Sequence, residues 1–401
     1  MKDRAARVRV VGPLALYASG FRTVLVGRGY APSSAAGQLQ VMGHLSRWLA
    51  EHGRDGRDLT SAVVEEFLLV RRAAGYRQWL SMRGMSPLLD YLREVGVAPA
   101  GSPIVVATPV EIALAAYETY LVEERGLSAS TVRNYLSVAR QFVSWRGGPQ
   151  AAGFDGLTAS EVSEFVLAAC RPGSRGSGTL LVVGMRALLR YLHVAGITGM
   201  GLAGAVPPAA AWPSSLPQPI DRRSAAQLLA SCDRRTAVGR RDFAVLTLLV
   251  RLGLRVSEVA ALELRDMHWR HGEVLVRGKG GREEVLPLPT DVGEAIAGWL
   301  RHRPLRCTST RVFTSVIAPH GDLTGKAVSG IVSRAAHRSG VSVSAHRLRH
   351  CAASELLRAG ASLPEVAQVL RHTSMLNTVR YAKIDHAALS QVARPWPAGA
   401  R

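Results

Sequence analysis

At 401 residues, 47% of them hydrophobic, the chain is long enough for two or three domains and apolar enough to pack their cores. That content excludes a largely disordered protein. A formal charge of +20 and a pI near 10.9 imply a polyanion partner, unless they record only the drift of a GC-rich genome toward arginine.

Distribution favours the partner. Residues 220–401 hold 28 Lys+Arg against 15 Asp+Glu, whereas residues 1–219 hold 22 against 15. The excess gathers in one half, as nucleic-acid binding requires. The four cysteines, Cys170, Cys232, Cys307 and Cys351, are scattered without a Cys-x-x-Cys, which suggests neither zinc nor disulfides and suits a reducing cytoplasm. Lys2, Arg4, Arg7 and Arg9 ahead of Val10 to Ala18 imitate a signal peptide, but Gly12 and Pro13 interrupt the apolar run, so secretion is not expected. The most apolar stretch, Phe243 to Leu254, is short and broken by Arg251, so no membrane span is expected either.

In chain order, the N-terminal half repeats itself. Arg28-Gly29-Tyr30, Ser33-Ser34 and Trp48 align with Arg125-Gly126-Leu127, Ser130-Thr131 and Trp145 at an offset of 97. Leu59-Thr60 and Phe67 pair with Leu157-Thr158 and Phe165, and Leu88-Leu89-Asp90-Tyr91-Leu92 with Leu188-Leu189-Arg190-Tyr191-Leu192. The small drift in offset marks inserted loop residues between duplicated units of four or five short helices. In the second unit, Ser130 or Thr131 is expected to cap a helix with apolar positions Val132, Tyr135, Leu136, Ala139, Phe142 and Val143. Thr158 should cap the next helix, with Glu161 completing a capping box.

Residues 206–219 are proline-rich and read as an extended, semi-rigid linker. Beyond it the pattern predicts helices over 222–231 and 241–253, and a third from Ser257. Glu273 to Val276 and Arg282 to Leu288 alternate around Gly278-Lys279-Gly280-Gly281 as a hairpin. From there the pattern is helical to the end.

Four stretches of this region carry chemistry. Arg255, in Gly253-Leu254-Arg255-Val256-Ser257-Glu258, has apolar neighbours on both sides, so it should be half-buried and in need of an anion. Glu258 is placed to orient it, or to form a plain surface ion pair with it. Lys279 is one of only four lysines among 50 basic residues and sits between glycines at the hairpin tip. It is either a solvated turn residue or, since a lysine pKa can be lowered, a proton donor. His346 and Arg349, in His346-Arg347-Leu348-Arg349-His350, share a helical face and can reach one phosphate; His350 reads as packing behind them. His372 precedes Tyr381 by nine residues, and Thr378 is a plausible N-cap that puts Tyr381 near the positive end of a helix. A phenol of ordinary pKa is a poor nucleophile, and positive surroundings improve it.

In order, spacing and flanking residues these stretches resemble the tyrosine recombinase (integrase) family, with an Xer-like catalytic domain, over residues 220–385. The resemblance implies a mainly α fold with a small β-hairpin or sheet in the catalytic domain. It also implies two SAM-like helical N-terminal domains at 1–100 and 108–205, the linker at 206–219, and a catalytic domain with a C-terminal tail at 220–401. The second unit resembles the family's core-binding domain. The first looks like an extra copy or a diverged arm-type domain, absent from the simplest members, or is plain scaffold.

The resemblance also implies roles. Arg255 and Arg349 clamp the scissile phosphate, His372 hydrogen-bonds it, His346 transfers a proton, Lys279 protonates the leaving 5′ oxygen, and Tyr381 attacks to form a 3′-phosphotyrosine. Arg371 stands where many members carry glycine, and would add a phosphate contact or nothing. No metal, nucleotide or other cofactor is implied. The implied partner is double-stranded DNA, bound as a homotetramer on paired sites through a Holliday junction, with room for sister recombinases. Ile384, Leu389 and Val392 outline a short tail helix from about Asp385, stopped by Pro395 and Pro397 and expected to dock on a neighbouring protomer, or else on its own domain. The doubled N-terminal unit leans toward integration, excision or transposition of a mobile element. Chromosome dimer resolution and a catalytically idle DNA-binding accessory are the alternatives. A type IB topoisomerase usually has lysine where His346 stands, and neither a Rossmann glycine motif nor a nuclease carboxylate cluster is present.

Overall fold

The computed structural model describes residues 5–100, 108–148, 153–170, 177–207, 220–278, 281–305 and 307–371. Two compact units divide the chain: Ser102–Ser215 is one, and Met1–Gly101 with Leu216–Arg401 is the other. Among the described residues no helix is long and apolar enough to cross a membrane.

Four helices form the first repeat: α1 (Ala18–Gly27), α2 (Pro32–Glu51), α3 (Ser61–Ala73) and α4 (Met82–Glu94). Four more form the second: α5 (Pro109–Thr119), α6 (Ala129–Trp145), α7 (Ala159–Ala169) and α8 (Ser177–Val194). Each set closes on its own apolar core. The duplication read from the sequence extends to the packing. Trp48 meets Phe67 with ring centroids 5.6 Å apart and 56° between planes, and Trp145 meets Phe165 at 5.7 Å and 58°. Tyr91 lies 5.3 Å from Phe21, and Tyr191 lies 5.1 Å from Tyr117.

Capping starts these helices where side-chain oxygens can meet unpaired N–H groups. Thr158 and Glu161 form the expected capping box of α7. The cap of α6 is neither Ser130 nor Thr131 but Ser128, whose hydroxyl accepts from the Thr131 N–H. Three hydroxyl residues stand in that stretch, and the extended backbone of Ser128 (φ −61°, ψ 147°) decides among them.

The C-terminal region builds on α9 (Arg222–Ala230), α10 (Ala237–Arg251) and α11 (Val256–Ala261). Helix α10 starts four residues earlier than expected, because Thr236 caps it by accepting from Gly239 N–H. It also stops short of Gly253, whose φ of +58° no helix contains. Strands β2 (Glu273–Arg277) and β3 (Glu283–Pro287) form the expected hairpin, with Val274 opposite Leu286. A two-residue strand, β1 (Met267–His268), joins β2 and makes an antiparallel sheet in the order β1-β2-β3. Arg277 ties the hairpin base down, reaching Asp266 at 2.5 Å and Glu283 at 2.9 Å.

Helix α12 (Thr290–Leu300) follows, but the chain does not stay helical after it. Residues 301–305 and 307–324 run irregularly, tied by isolated bridges from Glu263 to Arg311 and from Thr314 to Asp322. Pro304, Pro319 and Gly321 break any helix there, and the buried Trp299 indole anchors the loop by donating to Val312 O at 2.8 Å. Helices α13 (Gly325–Ser339), α14 (Ala345–Arg358) and α15 (Leu363–Val369) complete the described region.

Candidate active site

Gly253 sets the geometry. In its left-handed conformation an added Cβ would lie 2.7 Å from Leu370 Cδ2 and 3.0 Å from Ala352 Cβ. The end of α10 therefore touches α14 and the end of α15, and only a residue without a side chain fits. Two residues later, Arg255 takes the N-cap position of α11.

Glu258 engages Arg255 twice, as the three-residue spacing on α11 allows. Its Oε2 accepts from the Arg255 N–H at 2.8 Å, and its Oε1 accepts from Arg255 Nη1 at 2.5 Å. The surface-pair alternative is excluded: the Glu258 side chain is 2% exposed, while that of Arg255 keeps 35%. Such a pair holds the guanidinium stem in place and leaves about a third of the side chain open to solvent.

Helix α14 contributes His346 and Arg349 from one face. The rings of His346 and His350 meet edge to face, 4.3 Å between centroids, so His350 packs against His346 as expected. Arg349 is buried. It donates from Nη1 to Gly253 O at 2.6 Å and from Nη2 to Leu370 O. Arg255 Nη2 donates to the next carbonyl, Arg371 O, at 3.2 Å. The two arginines thus converge on successive peptide groups of the turn that leads to His372.

The structure decides between the two readings of Arg371. Its side chain is 3% exposed and points inward, donating from Nη2 to Glu258 Oε2 at 2.7 Å and from Nη1 to Val369 O at 2.9 Å. In this arrangement its guanidinium is not a phosphate contact. Burial pushes the Glu258 carboxyl up, but the charge of Arg371 and the hydrogen bonds from Arg255 and Arg371 outweigh it and hold the group below its ordinary range.

Gly278, just past the end of β2, stands beside the same cluster. A Cβ built on Gly278, the residue before Lys279, would lie 4.0 Å from Glu258 Oε1. Lys279, His372 and Tyr381, with the Thr378 cap and the tail helix, lie outside the described residues. Of the six positions singled out in the sequence, the structure therefore describes Arg255, His346 and Arg349, and it brings the two arginines together. Among the described residues no His/Cys/Asp/Glu group could hold a metal. The cleft of about 580 Å³ beside Arg234, Phe243 and Asp291 includes none of the six.

Sequence reasoning missed the bond from Arg371 to Glu258. The one signal available was an arginine standing at a position where glycine is usual.

Comparison with known proteins bears on this geometry. Residues 219–387 match the profile described as "Phage integrase family", and residues 114–196 that of "Phage integrase, N-terminal SAM-like domain". A putative integrase/recombinase y4rA of Sinorhizobium fredii is 39% identical, covering 97% of this chain and 96% of its own. Tyrosine recombinase XerC of Pseudomonas entomophila is 31% identical over 71% of this chain and 95% of its own. In fold, the chain is similar to a lambda integrase tetramer solved on a Holliday junction, with TM-score 0.52, 18% identity, and 80% and 90% of the two chains covered.

Proposed function

Since the chain belongs to the phage integrase family of tyrosine recombinases, enzymes that cleave and rejoin DNA, we propose that it exchanges DNA strands through Tyr381 at a site organised by Arg255 and Arg349. The observation that carries this reading is the convergence of those guanidiniums on the carbonyls of Leu370 and Arg371, immediately before His372. Two such cations bind the non-bridging oxygens of a phosphodiester and stabilise the charge that grows on them during attack. His372 donates to the same group and His346 assists proton transfer.

Tyr381 loses its proton and forms a bond to phosphorus while the bond to the 5′ oxygen breaks. Lys279 supplies the proton that this oxygen takes up. A 5′-hydroxyl from the partner duplex then attacks the phosphotyrosine and frees the phenol. Phosphodiester bonds are conserved in number, so the exchange needs no nucleotide energy source.

The domain assignment is part of the proposal: helical DNA-binding units at 1–100 and 108–205, a linker at 206–219, and the catalytic domain from 220. Charge supports a DNA role for the first unit over plain scaffold. Residues 1–100 carry 14 Lys+Arg against 8 Asp+Glu, and residues 108–205 carry 8 against 7. A tetramer on paired sites is the expected working form; the lambda protein forms a tetramer on a Holliday junction. A mobile-element role suits the match to y4rA, a putative integrase/recombinase, over 97% of this chain, where the XerC match spans 71%.

A nicked duplex carrying a site that the protein selects from a random pool tests the chemistry. The protein should become covalently attached to it, and Tyr381→Phe should not. Arg255→Ala and Arg349→Lys should each slow attachment by about 100-fold or more, of the order seen when an oxyanion donor is lost, with DNA still bound. An undiminished adduct in Tyr381→Phe would overturn the assignment.

A further inference from the structure

We propose that Arg371 is a positioning residue, one that sets Arg255 and the peptide leading into His372 in a common register through a shared carboxylate, Glu258; the proposal rests on the recombinase reading above. Residue 371 has φ of +55°, in the left-handed region where glycine is at ease and a branched or long side chain is not. A residue stays in such a conformation when its surroundings over-determine it.

Here they do so through a closed ring of bonds. Arg255 Nη1 holds Glu258 Oε1, Arg371 Nη2 holds Glu258 Oε2, and Arg255 Nη2 returns to Arg371 O. Arg371 Nη1 adds a bond to Val369 O at 2.9 Å, which anchors the same turn from within. Ordering any one member therefore orders the other two.

The ring also decides how Arg255 is presented. Glu258 is buried, and a buried carboxylate with one guanidinium partner draws that partner into bidentate pairing. In this chain Arg371 shares Oε2 with the Arg255 N–H, so the Arg255 guanidinium reaches Glu258 through Nη1 alone and does not close on both oxygens. Two cations around one anion leave a net positive charge, and Arg255, the partly exposed member, is the one that can present it to a phosphate. Lysine is a poor substitute, because its single ammonium cannot present a planar fork to Glu258 and Val369 together.

The test uses the full-length protein on the nicked duplex described above. Single-turnover attachment and DNA affinity are measured for wild type, Tyr381→Phe, Arg371→Gln, Arg371→Gly, Arg371→Lys, Glu258→Gln and the Glu258→Gln/Arg371→Gln pair. Attachment by wild type but not by Tyr381→Phe establishes the recombinase reading independently; no attachment by wild type would sink that reading and this proposal with it. Arg371→Gln is expected to slow attachment about ten-fold or more while affinity stays within about three-fold, and Arg371→Lys should recover part of the loss. In the double variant the losses should not multiply, because both changes open the same ring.

Attachment at the wild-type rate by Arg371→Gln would overturn the proposal. So would equal losses of affinity and rate, the mark of a direct phosphate contact, or losses that multiply in the pair. Should Arg371→Gln not fold, Arg371→Gly removes the guanidinium while relaxing the backbone, and a wild-type rate there is equally fatal.

Discussion

Glu258 Oε2 accepts from Arg371 Nη2 at 2.7 Å, with both side chains all but excluded from solvent. The two residues are 113 positions apart, so the bond joins the first turn of α11 to the turn that follows α15. Buried ion pairs of this kind are poor sources of net stability, yet breaking one is costly, because the survivor remains as an uncompensated charge. The pair therefore acts as a register pin.

Its removal should be felt in stability first. Glu258→Ala is expected to destabilise the C-terminal region by about 3–5 kcal/mol, since it strands the Arg371 guanidinium. Because the folded carboxyl titrates below its ordinary value of 4.5, its contribution is complete above that pH and is lost as pH falls through the lower, folded value. Urea melts at pH 7 and at successively lower pH check both points. A Glu258→Gln protein should lose less stability on acidification than wild type, and an equal loss would contradict the linkage.

Gly253→Ala should be among the most damaging small substitutions. It forces an L side chain into φ of +58° and drives a methyl to 2.7 Å from Leu370. Left-handed strain and overpacking together predict a cost of about 2–4 kcal/mol. Thermal melting gives the number, and a change within about 0.5 kcal/mol, as for an ordinary surface site, would show that the junction is not tight.

DNA affinity should fall steeply with salt. If about six or more phosphates are contacted, affinity drops by roughly three orders of magnitude between 50 and 200 mM salt. Deleting residues 1–100 should flatten the slope by the number of phosphates that the first unit neutralises. Filter binding across a salt series measures both, and an unchanged slope would return that unit to scaffold.

Truncation before residue 386 should spare binding to a single site but abolish pairing of sites and recombination, because a helix as short as the one expected from the sequence there would be marginal unless it docked on another surface. Electrophoretic resolution of single-site and paired complexes separates the steps. Normal recombination by the truncated protein would refute a role for the tail between protomers.

What could be read from the sequence was whatever local chemistry determines. The capping box of Thr158 and Glu161 and the pairing of Arg255 with Glu258 are i,i+3 relationships that any helix start imposes, so both were legible. The repeat was legible too, and Trp48 and Trp145 each meet the aligned phenylalanine of their own copy, Phe67 and Phe165. The choice of Ser128 over two neighbouring hydroxyls, the two-residue strand β1 and the irregular course of 307–324 depended on backbone and pairing partners that no short window contains. Tertiary structure alone turned Arg371 away from solvent and onto Glu258, because only the folded chain brings a buried carboxylate and a left-handed turn together.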